Sequence, residues 1–97
     1  MVNYPEKPTY TYEDLVRILR ILRAPDGCPW DREQTHRSNR RNFLEEAYEA
    51  AEAFDLDDPE LMKEELGDML MQVLMNIHME EDAGRFTTDD VTDHVVR

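Results

Sequence analysis

The longest helical periodicity in the chain lies in residues 59–82, which read PELMKEELGDMLMQVLMNIHMEED. Apolar residues recur there every three or four positions over three turns: Leu66, Met69, Leu70, Val73, Leu74 and Ile77. That spacing places them on one face of an α-helix. Asp58 suits the N-cap, Pro59 suits the first helical position and Gly84 suits the stop after the last turn. We therefore predict one long amphipathic helix in this part of the chain.

A second helix is predicted just before this one, from about Ser38 to Phe54. Its apolar stripe consists of Phe43, Ala47, Ala50, Ala51 and Phe54. Because the turn between the two helices is short, they should pack antiparallel.

Two shorter helices flank this pair. Thr11 with Asp14 resembles a capping box and opens a helix that runs to about Arg23. Thr87 with Asp90 opens a short helix near the end of the chain. No stretch alternates as a strand does, so the predicted class is all-α: an antiparallel bundle of about four helices per chain.

Two segments are predicted to be irregular. Residues 1–10 contain two prolines and are predicted to form an arm. Residues 24–37 contain Pro25, Gly27 and Pro29, which oppose regular structure, so we predict a long loop there. Long loops in small domains often carry function.

Ninety-seven residues correspond to one small domain, residues 1–97. Such a chain has a marginal core, so a partner chain is expected. The net charge of −12 argues against binding nucleic acid or an anionic membrane surface. With one cysteine, no evident signal peptide and no long apolar run, we expect a cytoplasmic protein.

The negative charge is concentrated in residues 45–82, which hold 14 acidic residues and one lysine. Within this segment Glu46 and Glu49 are three apart, as are Glu65 and Asp68, so each pair shares a helical face. Like charges at that spacing disfavour a helix by a few tenths of a kcal/mol per pair. If the two pairs face each other across the helix pair, a cation is needed between them. Carboxylate oxygens suit Mg²⁺ or Mn²⁺.

The acidic pairs are also compatible with an ordinary protein surface. Such pairs are common on solvated helix faces and need no ligand. Gly67 inside a helix costs up to about 1 kcal/mol relative to alanine, and close packing or room for a ligand would each justify it. A di-iron carboxylate site is the nearest chemical rival, but it requires Glu-x-x-His pairs. Neither acidic pair ends in histidine, and His36, His78 and His94 have no ligand spacing.

The loop segment 27–35 reads GCPWDREQT and contains the only tryptophan. Trp30 can stack on a nucleobase, an interaction worth roughly 1–3 kcal/mol. It can equally anchor the loop in the core. No motif pairs Cys28 with a second catalytic residue. We therefore expect it to be a small buried residue and not a nucleophile.

At this point the chain resembles the MazG-type nucleoside triphosphate pyrophosphohydrolases. The resemblance rests on Gly27-Cys28-Pro29-Trp30-Asp31 with Glu33-Gln34-Thr35, on Leu44-Glu45-Glu46-Ala47-Tyr48-Glu49, on Glu65-Leu66-Gly67-Asp68 and on Gly84-Arg85-Phe86. These motifs span about residues 15–97. Their order and spacing are more specific than any one of them alone.

The resemblance implies an all-α enzyme that hydrolyses nucleoside triphosphates to monophosphate and pyrophosphate with Mg²⁺, for which Mn²⁺ can substitute. It implies Glu46, Glu49, Glu65 and Asp68 as metal ligands. It implies Glu45 as a further ligand or as the group that orients and deprotonates a water. The loop side chains Trp30, Arg32 and Gln34 are then candidates for substrate binding.

The family also assembles as dimers or larger oligomers, so we expect a homodimer or homotetramer in which a second chain completes the bundle. The resemblance also implies a basic C-terminal segment that contacts phosphates, and the sequence ends at Arg97 before any such segment, which is either missing or not included. The basic stretch from His36 to Arg41 is another source of phosphate contacts.

The alternative is a non-catalytic acidic helical module that dimerises or binds a basic partner. Methionine-rich faces can be adaptable binding surfaces. The methionines here also suit core and interface packing: Met62, Met69, Met71, Met75 and Met79. Stabilisation by Mg²⁺ or Mn²⁺ separates the two hypotheses, because only a carboxylate cage gains from the ion.

Overall fold

A computed structural model describes residues 4–97 and contains helices but no strand over that range. The predicted all-α class is therefore confirmed. The helices are α1 (Tyr12–Arg23), α2 (Pro29–Glu33), α3 (His36–Leu56), α4 (Pro59–Asp82) and α5 (Thr88–Val96). They form two compact units, one ending at Gln34 and the other spanning Thr35–Arg97. None of these helices is long and apolar enough to cross a membrane.

Helix boundaries follow side-chain caps. Capping boxes begin α1, α3 and α5, each with a threonine at the N-cap: Thr11, Thr35 and Thr87. Asp58 caps α4 and Pro59 occupies its first turn, as predicted. Gly84 adopts φ +73° just after α4, a left-handed conformation that glycine reaches without a steric penalty, so the predicted stop is also confirmed.

The prediction of an irregular segment over residues 24–37 was wrong in part. Residues Pro29–Glu33 form α2, because proline at the first helical position sacrifices no intrahelical hydrogen bond and presets φ. Half-buried Cys28 is the N-cap residue. α3 begins at His36 rather than Ser38, because Ser38 is the third residue of the capping box that Thr35 opens.

The unit that ends at Gln34 is held together by backbone contacts to the end of α1. The Cys28 N–H donates to the Leu22 carbonyl at 2.8 Å. The Arg23 guanidinium donates to the carbonyl of Asp31 at 2.7 Å. A Cβ atom on Gly27 would lie 2.3 Å from the Ile21 carbonyl oxygen, far inside van der Waals contact. Only glycine fits this close approach.

Gly27→Ala should therefore destabilise the protein, by roughly 1–3 kcal/mol, because backbone atoms rather than a flexible side chain must move. The matched control is Gly67→Ala in α4, where an added Cβ would meet no described atom within 4 Å apart from its chain neighbours and the local helix backbone. That variant should gain up to about 1 kcal/mol from helix propensity. Urea unfolding of the three proteins checks both signs, and a neutral Gly27→Ala would contradict the packing.

In the Thr35–Arg97 unit, α3 and α4 form an antiparallel hairpin closed by Asp57 and Asp58. His36 at the start of α3 contacts Glu80 near the end of α4, which establishes the antiparallel direction. α5 packs on α4. The buried apolar residues of the hairpin are small on α3 and large on α4: Ala50, Ala53, Leu74, Met75, Ile77 and Met79. This allows the two helices to approach closely.

Candidate functional site

The hairpin brings three carboxylates together. Glu46 and Glu49 lie one turn apart on α3, and Glu65 projects from α4. One ligand atom from each lies within 4.8 Å of the others. This carboxylate cluster, Glu46–Glu49–Glu65, joins three of the four predicted metal ligands.

Two oxygens of the cluster are buried without a hydrogen-bond partner among residues 4–97. They are Oε2 of Glu46 and Oε2 of Glu65. A buried carboxylate oxygen with no donor carries a desolvation penalty, typically about 1–3 kcal/mol or more for a charged group. Glu49, in contrast, is exposed. The cluster is thus buried on one side and open to solvent on the other.

Mutual repulsion and burial perturb the acidity of the cluster. Burial, followed by a shared hydrogen bond with Glu49 and the charges around it, raises the pKa of Glu65 to about 7. Burial and the charge of Glu49 also raise the pKa of Glu46. The cluster therefore favours the protonated forms of Glu46 and Glu65.

Asp68, the fourth predicted ligand, lies near the cluster but outside the 4.8 Å group. Its negative charge is one cause of the raised pKa of Glu46 and of Glu65, so Asp68 lies close enough to repel both carboxylates. Asp68 is half-buried on α4, one turn after Glu65.

Glu45, the predicted catalytic residue, is exposed on α3 and belongs to a different contact. The Arg41 Nε donates to Glu45 Oε1 at 3.1 Å, an i,i+4 pair on one helix. Exposed pairs of this kind contribute little stability, with a median near 0–1 kcal/mol. The pair orients Glu45 beside the cluster on α3 without burying it.

The loop candidates belong to the unit that ends at Gln34. Trp30 is 59% exposed, so the alternative that it anchors the core is wrong. The Arg32 guanidinium donates to the carbonyl of Pro25, and the Gln34 amide donates to the carbonyl of Trp30 at 3.3 Å. Both polar side chains therefore hold the loop in shape.

Sequence reasoning missed a second polar cluster in the hairpin. His36, which it left without a partner, contacts Glu80 and Asn76, and Arg85 also binds Glu80. A signal was available: His36 lies 21 residues before Asp57 and Glu80 lies 22 residues after Asp58. In an antiparallel hairpin, residues equally far from the turn face each other.

Sequence comparisons add the family context. A model of the MazG nucleotide pyrophosphohydrolase domain matches residues 34–97. The uncharacterized protein YabN of Bacillus subtilis is 54% identical over 76% of this chain and 15% of its own length. The MazG nucleoside triphosphate pyrophosphohydrolase/pyrophosphatase of Thermotoga maritima is 48% identical over 82% of this chain and 31% of its own. A nucleoside triphosphate pyrophosphohydrolase of Escherichia coli K12 is 41% identical over 79% and 30%. The chain thus spans less than a third of the length of each of these relatives.

Proposed function

The chain belongs to the MazG nucleotide pyrophosphohydrolase family, and from that premise we propose that it hydrolyses nucleoside triphosphates to nucleoside monophosphate and pyrophosphate. The observation that supports this most directly is the carboxylate cluster, with its ligand atoms within 4.8 Å of one another. Enzymes that transfer phosphoryl groups commonly place a divalent cation against the phosphate oxygens. A cluster of this kind provides the ligands for one.

The residues of the cluster fit Mg²⁺, with Mn²⁺ as a substitute. All the ligand atoms that the cluster offers are carboxylate oxygens, which hard divalent cations prefer. The buried Oε2 atoms of Glu46 and Glu65 have no other partner within residues 4–97. When bound, such an ion neutralises phosphate charge and makes an attacking water more acidic. It would also let a chain of net charge −12 bind a polyanion.

Each acidic residue then has a distinct role. Glu46, Glu49 and Glu65 would hold the ion. Asp68, close enough to raise the pKa of Glu46 and of Glu65, would serve as the fourth ligand. Glu45 would accept the proton of the attacking water. Its carboxylate is exposed, and the hydrogen bond from Arg41 orients it on α3 next to Glu46. A general base must lie within hydrogen-bond reach of the proton it accepts, and this contact would help to position Glu45 for that role.

Trp30, which lies in α2, would contribute to recognition of the nucleoside. Trp30 offers an exposed aromatic face on which a base can stack. Arg32 and Gln34 would act mainly by holding α2 and the turn before it in place, since both already donate to backbone carbonyls there. Direct contacts from either to the substrate would require those hydrogen bonds to break.

A second copy of the chain would complete the helical bundle as a homodimer or homotetramer. Large apolar side chains stay exposed on both helices of the hairpin: Leu44, Tyr48, Phe54, Leu66, Leu70 and Met71. Exposed apolar surface of this extent is typical of interaction sites. Such assembly would also compensate for the marginal core of a short chain.

The experiment that tests the proposal is a panel of ribo- and deoxyribonucleoside triphosphates with Mg²⁺, scored for released pyrophosphate against released phosphate. We expect one pyrophosphate for each nucleoside monophosphate and no accumulation of nucleoside diphosphate. Release of phosphate with nucleoside diphosphate would replace the proposed bond cleavage with another. The absence of any hydrolysis would favour the non-catalytic alternative.

A further inference from the structure

The ring of His36 lies between two oxygen atoms. Its Nδ1 is 2.7 Å from Asn76 Oδ1, and its Nε2 is 2.6 Å from Glu80 Oε1. Both distances are within normal hydrogen-bonding range. A neutral imidazole carries only one N–H, so it can donate to only one of these two oxygens.

The orientation of Asn76 is determined by its other contact. Its Nδ2 lies 2.7 Å from the carbonyl oxygen of Gln72. A carbonyl only accepts, so the amide nitrogen must point to Gln72 and the amide oxygen to His36. Asn76 therefore offers His36 an acceptor.

Glu80 is an acceptor as well. Arg85 donates to both of its oxygens, Nε to Oε2 at 2.5 Å and Nη2 to Oε1 at 2.5 Å. These hydrogen bonds, with the one from His36, lower the pKa of Glu80 to about 2, so the group is ionised at neutral pH. With an acceptor on each side, only the doubly protonated, cationic ring satisfies both nitrogens.

This contact joins segments far apart in the chain. His36 is the first residue of α3, Glu80 is in the last turn of α4, and Arg85 follows α4. The charged groups that act on the ring are Glu80 and Arg85. Arg37 and Arg40 of α3 line a cavity that His36 also lines. From α5, the uncharged Val91 lines a second cavity that His36 also lines.

We propose that His36 is a proton-operated latch that fastens the first turn of α3 to the end of α4. With two N–H groups the ring bridges Asn76 and Glu80. The neutral ring has one N–H group, so it can donate to Asn76 or to Glu80 but not to both, and one hydrogen bond is lost. The side chain is 47% exposed, so protons can exchange with solvent without unfolding.

The direction of the pH effect follows from the hydrogen bonds of His36. The hydrogen bond to Asn76, then the one to Glu80, raises the pKa of His36 above its ordinary value of 6.5. Stability from the latch is therefore fully present below that ordinary value and is lost as pH rises through the raised pKa. Each unit by which the pKa is raised corresponds to a tenfold change in the folding equilibrium constant.

The test compares the pH dependence of unfolding, from pH 5 to pH 9, in the wild-type protein, His36→Gln and His94→Gln. Glutamine keeps one amide donor but does not titrate. We expect wild type and His94→Gln to lose the same additional stability with rising pH, and His36→Gln to lack that loss. Other titrating groups, Glu65 included, are common to all three proteins and cancel. Parallel curves for all three would overturn the latch.

Nitrogen chemical shifts of the His36 ring in the wild-type protein provide a readout that does not depend on the variant folding. At pH 6.5 the cationic form, with both nitrogens protonated, should predominate. Glu80→Gln should shift the titration of His36 to lower pH. Amide protection factors in the first turn of α3, which are corrected for the intrinsic rise of exchange with pH, should fall above the measured pKa. A neutral, single-tautomer ring at pH 6.5 would contradict the proposal.

Discussion

Glu49→Ala is expected to lower turnover of nucleoside triphosphates by at least on the order of a hundredfold, while the helical content stays the same. Glu49 is the exposed member of the carboxylate cluster, so its side chain contributes little to packing. As a proposed metal ligand it would support charge stabilisation worth several kcal/mol, and about 2.7 kcal/mol corresponds to a hundredfold. Single-turnover assays with circular dichroism of the same samples measure both quantities.

The matched control is Glu52→Ala. Glu52 lies one turn after Glu49 on α3, is also exposed and is outside the cluster. It should retain near wild-type turnover because it is not a proposed metal ligand. The variant removes the same charge from the same helix, so it controls for the change in net charge. Asp68→Ala should also lose activity if Asp68 acts as the fourth ligand. Full activity of both Glu49→Ala and Asp68→Ala would overturn the assignment of the site.

The second large effect is thermal stabilisation by Mg²⁺ or Mn²⁺. A ligand at a hundred times its dissociation constant adds about 2.7 kcal/mol to the folded state. For a domain of 60–100 residues each kcal/mol raises Tm by roughly 4–8 °C, so an increase on the order of 10 °C or more is expected. Differential scanning fluorimetry with and without the ions measures it, and EDTA should reverse it.

Glu65→Gln should raise the stability of the metal-free protein and lower the stabilisation that Mg²⁺ or Mn²⁺ provides. Removing one buried charge from the cluster should raise the stability of the metal-free protein near neutral pH, because repulsion falls. The same change should abolish most of the stabilisation by the ion. Glu64→Gln, at the neighbouring exposed position, should do neither. If neither ion stabilises the wild-type protein, the non-catalytic acidic module becomes the better hypothesis.

The pH dependence of the metal-free protein follows from the same residue. The pKa of Glu65 is raised to about 7 from 4.5, so the folded state binds the proton more tightly than the unfolded chain does. Stability from this group is present below about 4.5 and is lost as pH rises to about 7. Because the proton and the ion compete for the same oxygens, stabilisation by Mg²⁺ should grow over that range.

Local sequence patterns predicted most of the secondary structure. The caps at Thr11, Asp58 and Thr87, and the stop at Gly84, all lie where the pattern placed them. These features depend on side chains within four residues of one another, so short segments suffice to identify them. The short helix α2 was missed because Pro29 was interpreted as a breaker when it is a helix start.

Site residues were predictable in type and in helical face, but not in their contacts. The periodicity places Glu46 with Glu49 on one face of α3, and the motif order points to family chemistry. Whether Glu65 meets them depends on the register and rotation of α4 against α3. Packing of Ala50 and Ala53 against α4 sets those two variables, and both alanines are almost fully buried.

The all-α class, the helix boundaries and the pairs of acidic residues thus follow from the order of the amino acids, because they are set by interactions within one or two helical turns. Two features required the folded hairpin: the approach of Glu65 to Glu46 and Glu49, and the bridge from His36 to Glu80. Contacts between the two helices in these features join residues 16 to 44 positions apart. Their geometry depends on how two helices interlock, which no local pattern encodes.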